Sequence, residues 1–145
     1  MKNIIPEIKR ISTADTLPIR HKVMWPEKPL AFVKIPNDEK AKHFGLFVNG
    51  EITSIISLFV ENNEAQFRKF ATLNEFQGLG YGTILLKSIM DIVKKDEIQK
   101  LWCNARVEKS KFYERFGFKL TDKKYEKGGI EFVIMERSFV NNKLL

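Results

Sequence analysis

Cysteine and histidine are scarce in this chain. Its 145 residues include one cysteine, Cys103, and two histidines. A single cysteine excludes an internal disulfide and is typical of proteins in a reducing compartment, so we expect a cytoplasmic location. The two histidines and the cysteine lie far apart in the sequence and do not provide the ligand set of a metal site, so we expect no metal.

Long hydrophobic runs are also lacking. No apolar segment approaches the ~18 residues that suggest a membrane-spanning helix, and the first ten residues, MKNIIPEIKR, carry charges where a signal peptide has its apolar core. We therefore expect no membrane partner. The content of 43% hydrophobic and 30% charged residues is typical of a soluble globular protein, and the length predicts one domain over residues 1–145.

Basic residues are numerous but not clustered. The chain has 25 lysines and arginines against 18 acidic residues, a net charge of +7. This excess alone motivates a nucleic-acid-binding hypothesis, but no basic run has the length of a nucleic-acid-binding arm. We therefore expect no nucleic-acid partner and a mostly solvated basic surface, whose field would help to recruit a phosphorylated cofactor.

The hydrophobic pattern and the turn signals predict a mixed α/β fold. Asn49-Gly50 and Asn62-Asn63 separate three strands that form an antiparallel meander. A helix then joins the third strand to the next one, which makes these two strands parallel. The predicted elements in chain order are a weak strand within 1–11, a helix over 13–25, a proline-containing loop over 26–37, a short helix over 38–42, strands over 43–48, 51–60 and 64–72, a helix over 79–95, a strand over 100–104, a helix over 108–116, and a hairpin over 118–125 and 130–137.

Three glycines alternate where the third strand of the meander gives way to the long helix, in the stretch Gln77-Gly78-Leu79-Gly80-Tyr81-Gly82. Glycines let the backbone approach a ligand closely, and a helix N-terminus favours an anion. The stretch does not fit a P-loop, because Thr83 stands where that motif needs lysine. It also fits a dinucleotide-binding fingerprint poorly, because the glycine spacing differs and antiparallel hairpins precede it.

Two blocks of sequence resemble the GNAT superfamily of acyl-CoA-dependent N-acyltransferases. Residues 71–86, ATLNEFQGLGYGTILL, are similar to that family's strand, turn and helix. Residues 112–118, FYERFGF, are similar to its later helix. The resemblance covers residues 64–118 and implies a mainly antiparallel sheet with splayed central parallel strands and flanking helices. It also implies acetyl-CoA as the acyl donor.

The resemblance implies specific roles for residues of this chain. Backbone N–H groups would hold the coenzyme A pyrophosphate at Gly78, Leu79, Gly80, Tyr81, Gly82 and Thr83, with Gln77 orienting the turn. The pantetheine arm would pair with the strand end at Phe70, Ala71 and Thr72, where one N–H would face the thioester oxygen. Tyr113 would protonate the leaving thiolate. The alternative for Tyr113 is an aromatic core residue that packs with Phe112 and Phe116.

Several positions leave alternatives open. Many family members have asparagine seven residues before the tyrosine, but this chain has Arg106. Asn104 could take over that contact, or Arg106 could contact the cofactor phosphates or the acceptor. Candidates for the general base are Glu61, Glu64, Glu75 and His43, each with a structural or solvated role as its alternative. Trp25 and Phe32 could line the acceptor pocket or belong to the core, His21 and His43 could also line that pocket, and Cys103 is expected to be buried and inert.

The resulting hypothesis is an N-acetyltransferase that transfers an acetyl group from acetyl-CoA to a primary amine. The amine would attack the thioester directly, and the acceptor would be a small molecule or a peptide amine. The alternative is a non-catalytic coenzyme A-binding module with the same fold. Whether two copies form a homodimer is left open.

Overall fold

In a computed structural model of the protein, residues 5–139 are described. This part of the chain contains seven strands and three α-helices. Their bounds are β1 Glu7–Ile11, α1 Thr13–Met24, β2 Lys42–Val48, β3 Glu51–Glu61, β4 Glu64–Thr72, α2 Tyr81–Lys95, β5 Lys100–Arg106, α3 Ser110–Glu114, β6 Lys119–Lys127 and β7 Ile130–Ser138. Short 3₁₀ helices lie at Leu30–Val33, Asp38–Lys40, Asn74–Phe76 and Val107–Lys109. No helix within residues 5–139 is long and apolar enough to cross a membrane.

The strands form one mixed sheet in the order β1-β2-β3-β4-β5-β7-β6. The pairs β1–β2, β2–β3, β5–β7 and β6–β7 are antiparallel. Strands β4 and β5 are parallel, with Glu64–Gln66 opposite Lys100–Trp102. On its other side, β5 continues to pair with β7 as far as Arg106. The predicted mixed α/β fold with a mainly antiparallel sheet and one parallel pair is thus confirmed.

Most predicted elements are present, with shifted ends. Helix α2 begins at Tyr81 rather than at Leu79, because Gly80 has a φ of 85° that a right-handed helix cannot accommodate. The helix predicted over 108–116 is divided into the 3₁₀ turn Val107–Lys109 and the short α3. Strand β1 begins at Glu7, and the first four residues of the predicted strand lie outside the described part of the chain.

The described residues form two compact units. The first contains residues 5–59 and 69–89, and the second contains residues 60–68 and 90–139. Strand β4 and helix α2 contribute residues to both units. The expectation of a single domain over residues 1–145 stays a prediction.

The first unit has an apolar cluster between α1 and the sheet. Ser12 caps α1 by accepting a hydrogen bond from the Asp15 N–H at 3.1 Å, while the Asp15 carboxylate accepts from the Ser12 N–H. This capping box fixes the start of the helix. The buried apolar side chains of the unit lie on α1, β2, β3, β4, α2 and the segment between α1 and β2, at Leu17, Ile19, Val33, Ala41, Phe44, Leu46, Val48, Ile55, Ile56, Leu58, Ala71, Leu85, Leu86 and Ile89.

A fully buried arginine also lies within the first unit. The Arg20 side chain on α1 has 0% relative exposure. Its guanidinium donates to both carboxylate oxygens of Asp38, at 2.8 and 2.9 Å. It also donates to the Val33 carbonyl at 3.1 Å and to the Ser57 hydroxyl at 3.0 Å. Arg20 therefore connects α1 to β3 and to two positions in the segment between α1 and β2.

His43 extends this polar cluster. Its Nε2 lies 2.8 Å from the Asp38 carbonyl, which can only accept, so Nε2 carries the hydrogen. Its Nδ1 lies 2.7 Å from the hydroxyl of Ser57, which also accepts a hydrogen bond from Arg20. The relative exposure of His43 is 3%. Both ring nitrogens already have partners inside the protein, which supports the structural role for His43 over that of a general base or a residue lining the acceptor pocket.

The core of the second unit is formed by the β5–β7 part of the sheet and by aromatic side chains. Its buried residues include Phe67, Leu101, Cys103, Ala105, Phe118, Val133 and Met135. Arg137 donates to the Phe116 carbonyl at 2.8 Å, next to Gly117 at a φ of 86°. This bond holds the turn that follows α3.

The buried ion pair predicts a large stability effect. Asp38→Asn leaves the Arg20 charge buried without its counter-charge, which we expect to lower the free energy of unfolding by about 3–5 kcal/mol. Urea denaturation at pH 7, followed by circular dichroism, measures this value. Glu39→Gln is the matched control, because Glu39 is exposed and should change stability by less than about 0.5 kcal/mol. A loss below roughly 1 kcal/mol for Asp38→Asn would show that the ion pair is not essential to the unit.

The same pair predicts a pH dependence. Burial alone would raise the pKa of Asp38, but hydrogen bonds from Arg20 and the Ile35 N–H, with the Arg20 charge, hold this pKa below its usual value. A lowered folded-state pKa means that the contribution of Asp38 is present above the unfolded pKa of about 3.9 and is lost as the pH falls through the folded value. The stability difference between the wild type and Asp38→Asn should therefore shrink below about pH 4. A constant difference down to about pH 2 would contradict this account.

Candidate active site

The glycine-rich turn before α2 has an open side. Gly78 and Gly80 have φ values of 79° and 85°, a region that other residues adopt only at a cost. A Cβ atom at either position would meet no heavy atom within 4 Å. The glycines are therefore needed for the course of the backbone and not to avoid a neighbouring side chain. The space beside them is available to a ligand.

The N-terminus of α2 provides donors to that space. The first hydrogen bond of the helix runs from the Ile84 N–H to the Gly80 carbonyl at 3.1 Å. The N–H groups of Tyr81, Gly82 and Thr83 precede this bond and have no partner within the helix. The first turn contains no acidic residue, so nothing there opposes the positive end of the helix dipole. These features fit a bound phosphate group.

Gln77 connects this turn to the end of β4. Its side-chain amide donates to the Thr72 carbonyl at 2.9 Å and to the Asn74 side-chain oxygen at 3.0 Å. The 3₁₀ turn Asn74–Phe76 between them is closed by a bond from the Phe76 N–H to the Leu73 carbonyl at 2.9 Å. The contact agrees with the orienting role that the resemblance implies for Gln77.

The end of β4 and the start of α2 lie close together. A Cβ on Gly82 would be 3.3 Å from the Phe70 ring and 3.5 Å from the Thr72 hydroxyl. The structure thus brings Phe70, Thr72, Gln77 and Gly82 into one region of the first unit. Leu79 in the turn is largely exposed, at 61%, and the Tyr81 ring lies 6.2 Å from that of Phe76.

Ser54 supports the strand end and was not predicted. Its buried hydroxyl donates to the Ala71 carbonyl at 3.1 Å and lies 2.9 Å from the Thr72 hydroxyl. These contacts hold two of the residues that the resemblance assigns to the pantetheine arm. The available signal was one of three hydroxyl residues within β3, which by itself does not identify a partner.

Lys69 is a second unpredicted feature of β4. Its φ is 55°, although it lies inside a strand. A lysine in the left-handed region is uncommon and interrupts the regular course of a strand. Because the residue directly precedes Phe70, this irregularity affects the direction in which the last three strand residues run.

Tyr113 lies on α3 in the second unit, among aromatic rings. Its ring centroid is 5.8 Å from Phe67, 5.2 Å from Phe112 and 6.1 Å from Phe118. Burial, together with the nearby Cys103, raises the pKa of Tyr113 above its ordinary value. The phenol therefore stays protonated at neutral pH and can donate its hydrogen. The aromatic packing means that Tyr113 also has the structural role that was considered as its alternative.

Cys103 is buried, as predicted. Its relative exposure is 2%, and burial raises the pKa of the thiol to about 12. A nucleophilic cysteine needs a lowered pKa and access to its substrate. Cys103 has neither property, so it is an unsuitable carrier for an acyl group.

Asn104 and Arg106 are both exposed on β5. They lie two residues apart and therefore on the same face of the strand. The Arg106 guanidinium is 3.8 Å from the Glu108 carboxylate, a distance that leaves the guanidinium able to bind another anion. In the register with β7, Asn104 is opposite Ile134 and Arg106 is opposite Phe132.

The carboxylates considered as general bases lie at the surface. Glu61 and Glu75 are exposed. Glu64 lies 3.5 Å from the Lys100 ammonium, which also contacts Glu136 at 2.9 Å. The geometry therefore gives none of the three the buried environment that tunes a catalytic carboxylate. It supports the solvated or structural role for each of them.

Trp25 and Phe32 are not core residues. Their relative exposures are 44% and 50%, and their rings contact each other edge to face at 5.2 Å. His21 is occupied by a contact of 2.6 Å between its Nε2 and the Lys28 carbonyl.

Comparisons with known proteins point to one family. The sequence model of the acetyltransferase (GNAT) domain family matches residues 22–139. The chain is 30% identical over 133 residues to the uncharacterized N-acetyltransferase YitI of Bacillus subtilis, covering 86% of this chain and 89% of that protein. Its fold is similar to the crystal structure of the ribosomal-protein-S18-alanine N-acetyltransferase from Escherichia coli, with a TM-score of 0.79, 18% identity and coverage of 97% of this chain and 99% of that one. A GNAT family acetyltransferase from Elizabethkingia anophelis, solved with acetyl-CoA bound, has a TM-score of 0.70 and 18% identity, covering 92% of this chain and 97% of that one.

The turn geometry predicts a position-specific stability effect. Gly80→Ala introduces a Cβ at a positive φ and should lower the free energy of unfolding by about 1–2 kcal/mol. Leu79→Ala, one residue away and largely exposed, should change it by less than about 0.5 kcal/mol. Thermal unfolding of both variants measures the difference. Equal losses of stability in the two variants would mean that the positive φ of Gly80 is not needed for the stability of the fold.

Proposed function

This chain belongs to the GNAT acetyltransferase family, and from that premise we propose that it transfers an acetyl group from acetyl-CoA to a primary amine. One observation carries the proposal within the structure. The turn from Gly78 to Gly82 holds two glycines at positive φ beside open space, at the N-terminus of a helix without an acidic first turn. Backbone donors and a helix dipole arranged in this way suit a pyrophosphate.

The turn would bind the donor substrate through its backbone. In this proposal, N–H groups between Gly78 and Thr83 bind the pyrophosphate of coenzyme A, and Gln77 keeps the turn against Thr72 through its bond of 2.9 Å. Phosphate binding through main-chain donors needs no particular side chain except glycine where the backbone turns. This is why Leu79 can be largely exposed without weakening the assignment.

The end of β4 would bind the reactive part of the donor. We propose that the backbone at Phe70, Ala71 and Thr72 pairs with the amide groups of the pantetheine arm. One N–H there would donate to the thioester oxygen as negative charge develops on it. Ser54 would support this step indirectly, because its hydroxyl holds the Ala71 carbonyl and the Thr72 hydroxyl.

Tyr113 would act at the leaving group. The amine nitrogen forms a bond to the carbonyl carbon and the carbon–sulfur bond breaks. The nitrogen loses its proton to solvent, the sulfur takes one from Tyr113, and solvent then reprotonates the tyrosine. We propose that the Tyr113 hydroxyl donates to the departing sulfur, which its raised pKa supports by keeping the phenol protonated. Arg106 and Asn104 would contribute a polar contact to the cofactor from the exposed face of β5.

No side chain of the described residues is assigned as the general base in this proposal. The amine would therefore react as its neutral fraction. The acceptor would be a small-molecule or peptide amine, and the single buried thiol is consistent with a cytoplasmic location.

Two measurements test the proposed activity. Calorimetry should detect acetyl-CoA binding at sub-millimolar ligand, and Gly80→Ala should weaken it more than Leu79→Ala does. A thiol-release assay with a panel of amines, amino acids, polyamines and peptides should then detect turnover. Binding without thiol release for every acceptor would identify a non-catalytic coenzyme A-binding module instead. Absence of binding would refute the proposal.

Tyr113→Phe should reduce kcat by about 10²–10⁴-fold, with little change in the acetyl-CoA binding constant. The reason is that the variant keeps the ring and its packing but loses the donor hydroxyl. Tyr125→Phe is the matched control, because Tyr125 is an exposed tyrosine of the same unit, and it should keep full activity. An unchanged kcat for Tyr113→Phe would remove the residue from the reaction.

The rate should rise with pH as the acceptor amine loses its proton. The raised pKa of Tyr113 means that deprotonation of this phenol should not lower the rate below about pH 10. A pH–rate profile with an alkylamine acceptor checks this expectation. A fall in rate between about pH 7 and 9 that disappears in Tyr113→Phe would contradict it.

A further inference from the structure

Helix α3, which carries Tyr113, is too short to hold its own position. It contains five residues, Ser110–Glu114, and no side chain within residues 5–139 caps its N-terminus. An isolated helix of this length is not stable in water, so its position depends on contacts with the rest of the second unit. The placement of the Tyr113 hydroxyl depends on the same contacts, because the ring is attached to the last turn of this helix.

The turn after α3 provides such contacts. The Tyr113 carbonyl accepts hydrogen bonds from the Phe116 N–H at 2.9 Å and from the Phe118 N–H at 3.3 Å. The Phe118 ring also packs against the Tyr113 ring, with the two centroids 6.1 Å apart. Phe118 therefore contacts both the backbone and the side chain of Tyr113. A displacement of this turn would displace the tyrosine with it.

Arg137 on β7 holds the turn. Its Nη1 donates to the Phe116 carbonyl at 2.8 Å and lies 3.9 Å from the Met90 sulfur on α2. Gly117 lies directly against the arginine side chain, because a Cβ added there would be 3.2 Å from Nε and 3.3 Å from Cδ of Arg137. Both this close approach and the φ of 86° favour glycine. The guanidinium and its aliphatic stem thus contact two adjacent residues of the turn.

The sheet places Arg137 among buried apolar residues. Arg137 is opposite Leu101 in the register between β5 and β7, and Met135, two positions earlier, is opposite Cys103. Leu101, Cys103 and Met135 are buried, and alternation along the strand directs the Arg137 side chain to the same face. A cation is costly there unless it makes hydrogen bonds. An apolar side chain would avoid this cost, which indicates that the hydrogen bond to the turn is the reason for an arginine.

We propose that Arg137 is a positioning residue for acetyl transfer, because its bond to the Phe116 carbonyl keeps the Tyr113 hydroxyl where it can donate to the departing sulfur. This inference rests on the proposed function and on the role of Tyr113 within it. Arg137 acts through the turn and takes no part in the proton transfer. Removal of its donor group should therefore lower kcat and leave the acetyl-CoA binding constant unchanged.

A double-mutant cycle tests the inference. Arg137→Met keeps an unbranched side chain but removes the donor, and it should lower kcat in the thiol-release assay by about 10–100-fold, as expected for a proton donor displaced by about 1 Å. In the Tyr113→Phe background, the same substitution should lower kcat by less than about twofold, because the hydroxyl that it displaces is already absent. A merely structural role would lower kcat by the same factor in both backgrounds.

A conservative variant and a matched control complete the cycle. Arg137→Lys keeps a cation that can donate one hydrogen bond, and it should retain about a third of the wild-type kcat. Arg115→Met is the control, since Arg115 is an exposed arginine at the end of α3 that lies 5.5 Å from the Phe112 ring centroid. It should keep kcat within about twofold of the wild type. Thermal unfolding verifies that each variant is folded. If Arg137→Met does not fold, the cycle is made with Arg137→Lys, whose loss of about threefold should vanish in the Tyr113→Phe background.

The contrary outcomes separate this inference from the proposed function. If Tyr113→Phe lowers kcat but the Arg137 variants do not, or lower it equally in both backgrounds, the positioning role is overturned while the proposed function stands. A weaker acetyl-CoA binding constant in Arg137→Met, with kcat unchanged, would also overturn it. An unchanged kcat in Tyr113→Phe removes the proton-donor role, and the positioning role fails with it although acetyl transfer stands. If no acceptor releases thiol, the proposed function and both roles fail together.

Discussion

A buried positive charge constrains the first unit of this protein. The Arg20 guanidinium has no exposure to water, so its charge must be balanced within the protein. Asp38 provides the counter-charge, and Val33 and Ser57 accept the remaining hydrogen bonds that the guanidinium makes. Because these partners belong to separate segments, satisfying one side chain fixes the loop after α1 relative to the helix and the sheet. A loop with three prolines and several exposed apolar groups thereby acquires a defined conformation.

The donor site depends on a different kind of constraint. At Gly78 and Gly80 the important property is the absence of a Cβ, which permits positive φ values just before a helix begins. The helix then presents its unbonded N–H groups beside open space. The supporting contacts from Gln77 and Ser54 hold the strand end next to it. Backbone geometry provides the binding groups here, and side chains mainly keep that geometry in place.

Much of the fold could be predicted because the signals were local. The Asn-Gly and Asn-Asn turns and the hydrophobic pattern that predicted the strands and helices each follow from neighbouring residues. Most of the residues proposed for the donor substrate lie in two short stretches, 70–72 and 77–83, and they follow from the resemblance of those stretches to the family. Ser54, Lys69 and the Arg20–Asp38 pair were missed. Ser54 contacts residues 17 and 18 positions away and Arg20 pairs with a residue 18 positions away, and no local pattern reports such contacts.

The sequence by itself determined the order of the elements, the glycine-rich turn and the family to which the chain belongs, because all three depend on the type and spacing of adjacent residues. Only the tertiary structure decided which polar residues are buried and hydrogen-bonded within the protein and which are exposed and able to contact a ligand. It buried His43, a candidate base, with hydrogen-bond partners at both ring nitrogens, and it left Trp25 and Phe32 exposed. The physical reason is that burial and hydrogen bonding are properties of segments that meet in space. They cannot be read from any one segment alone.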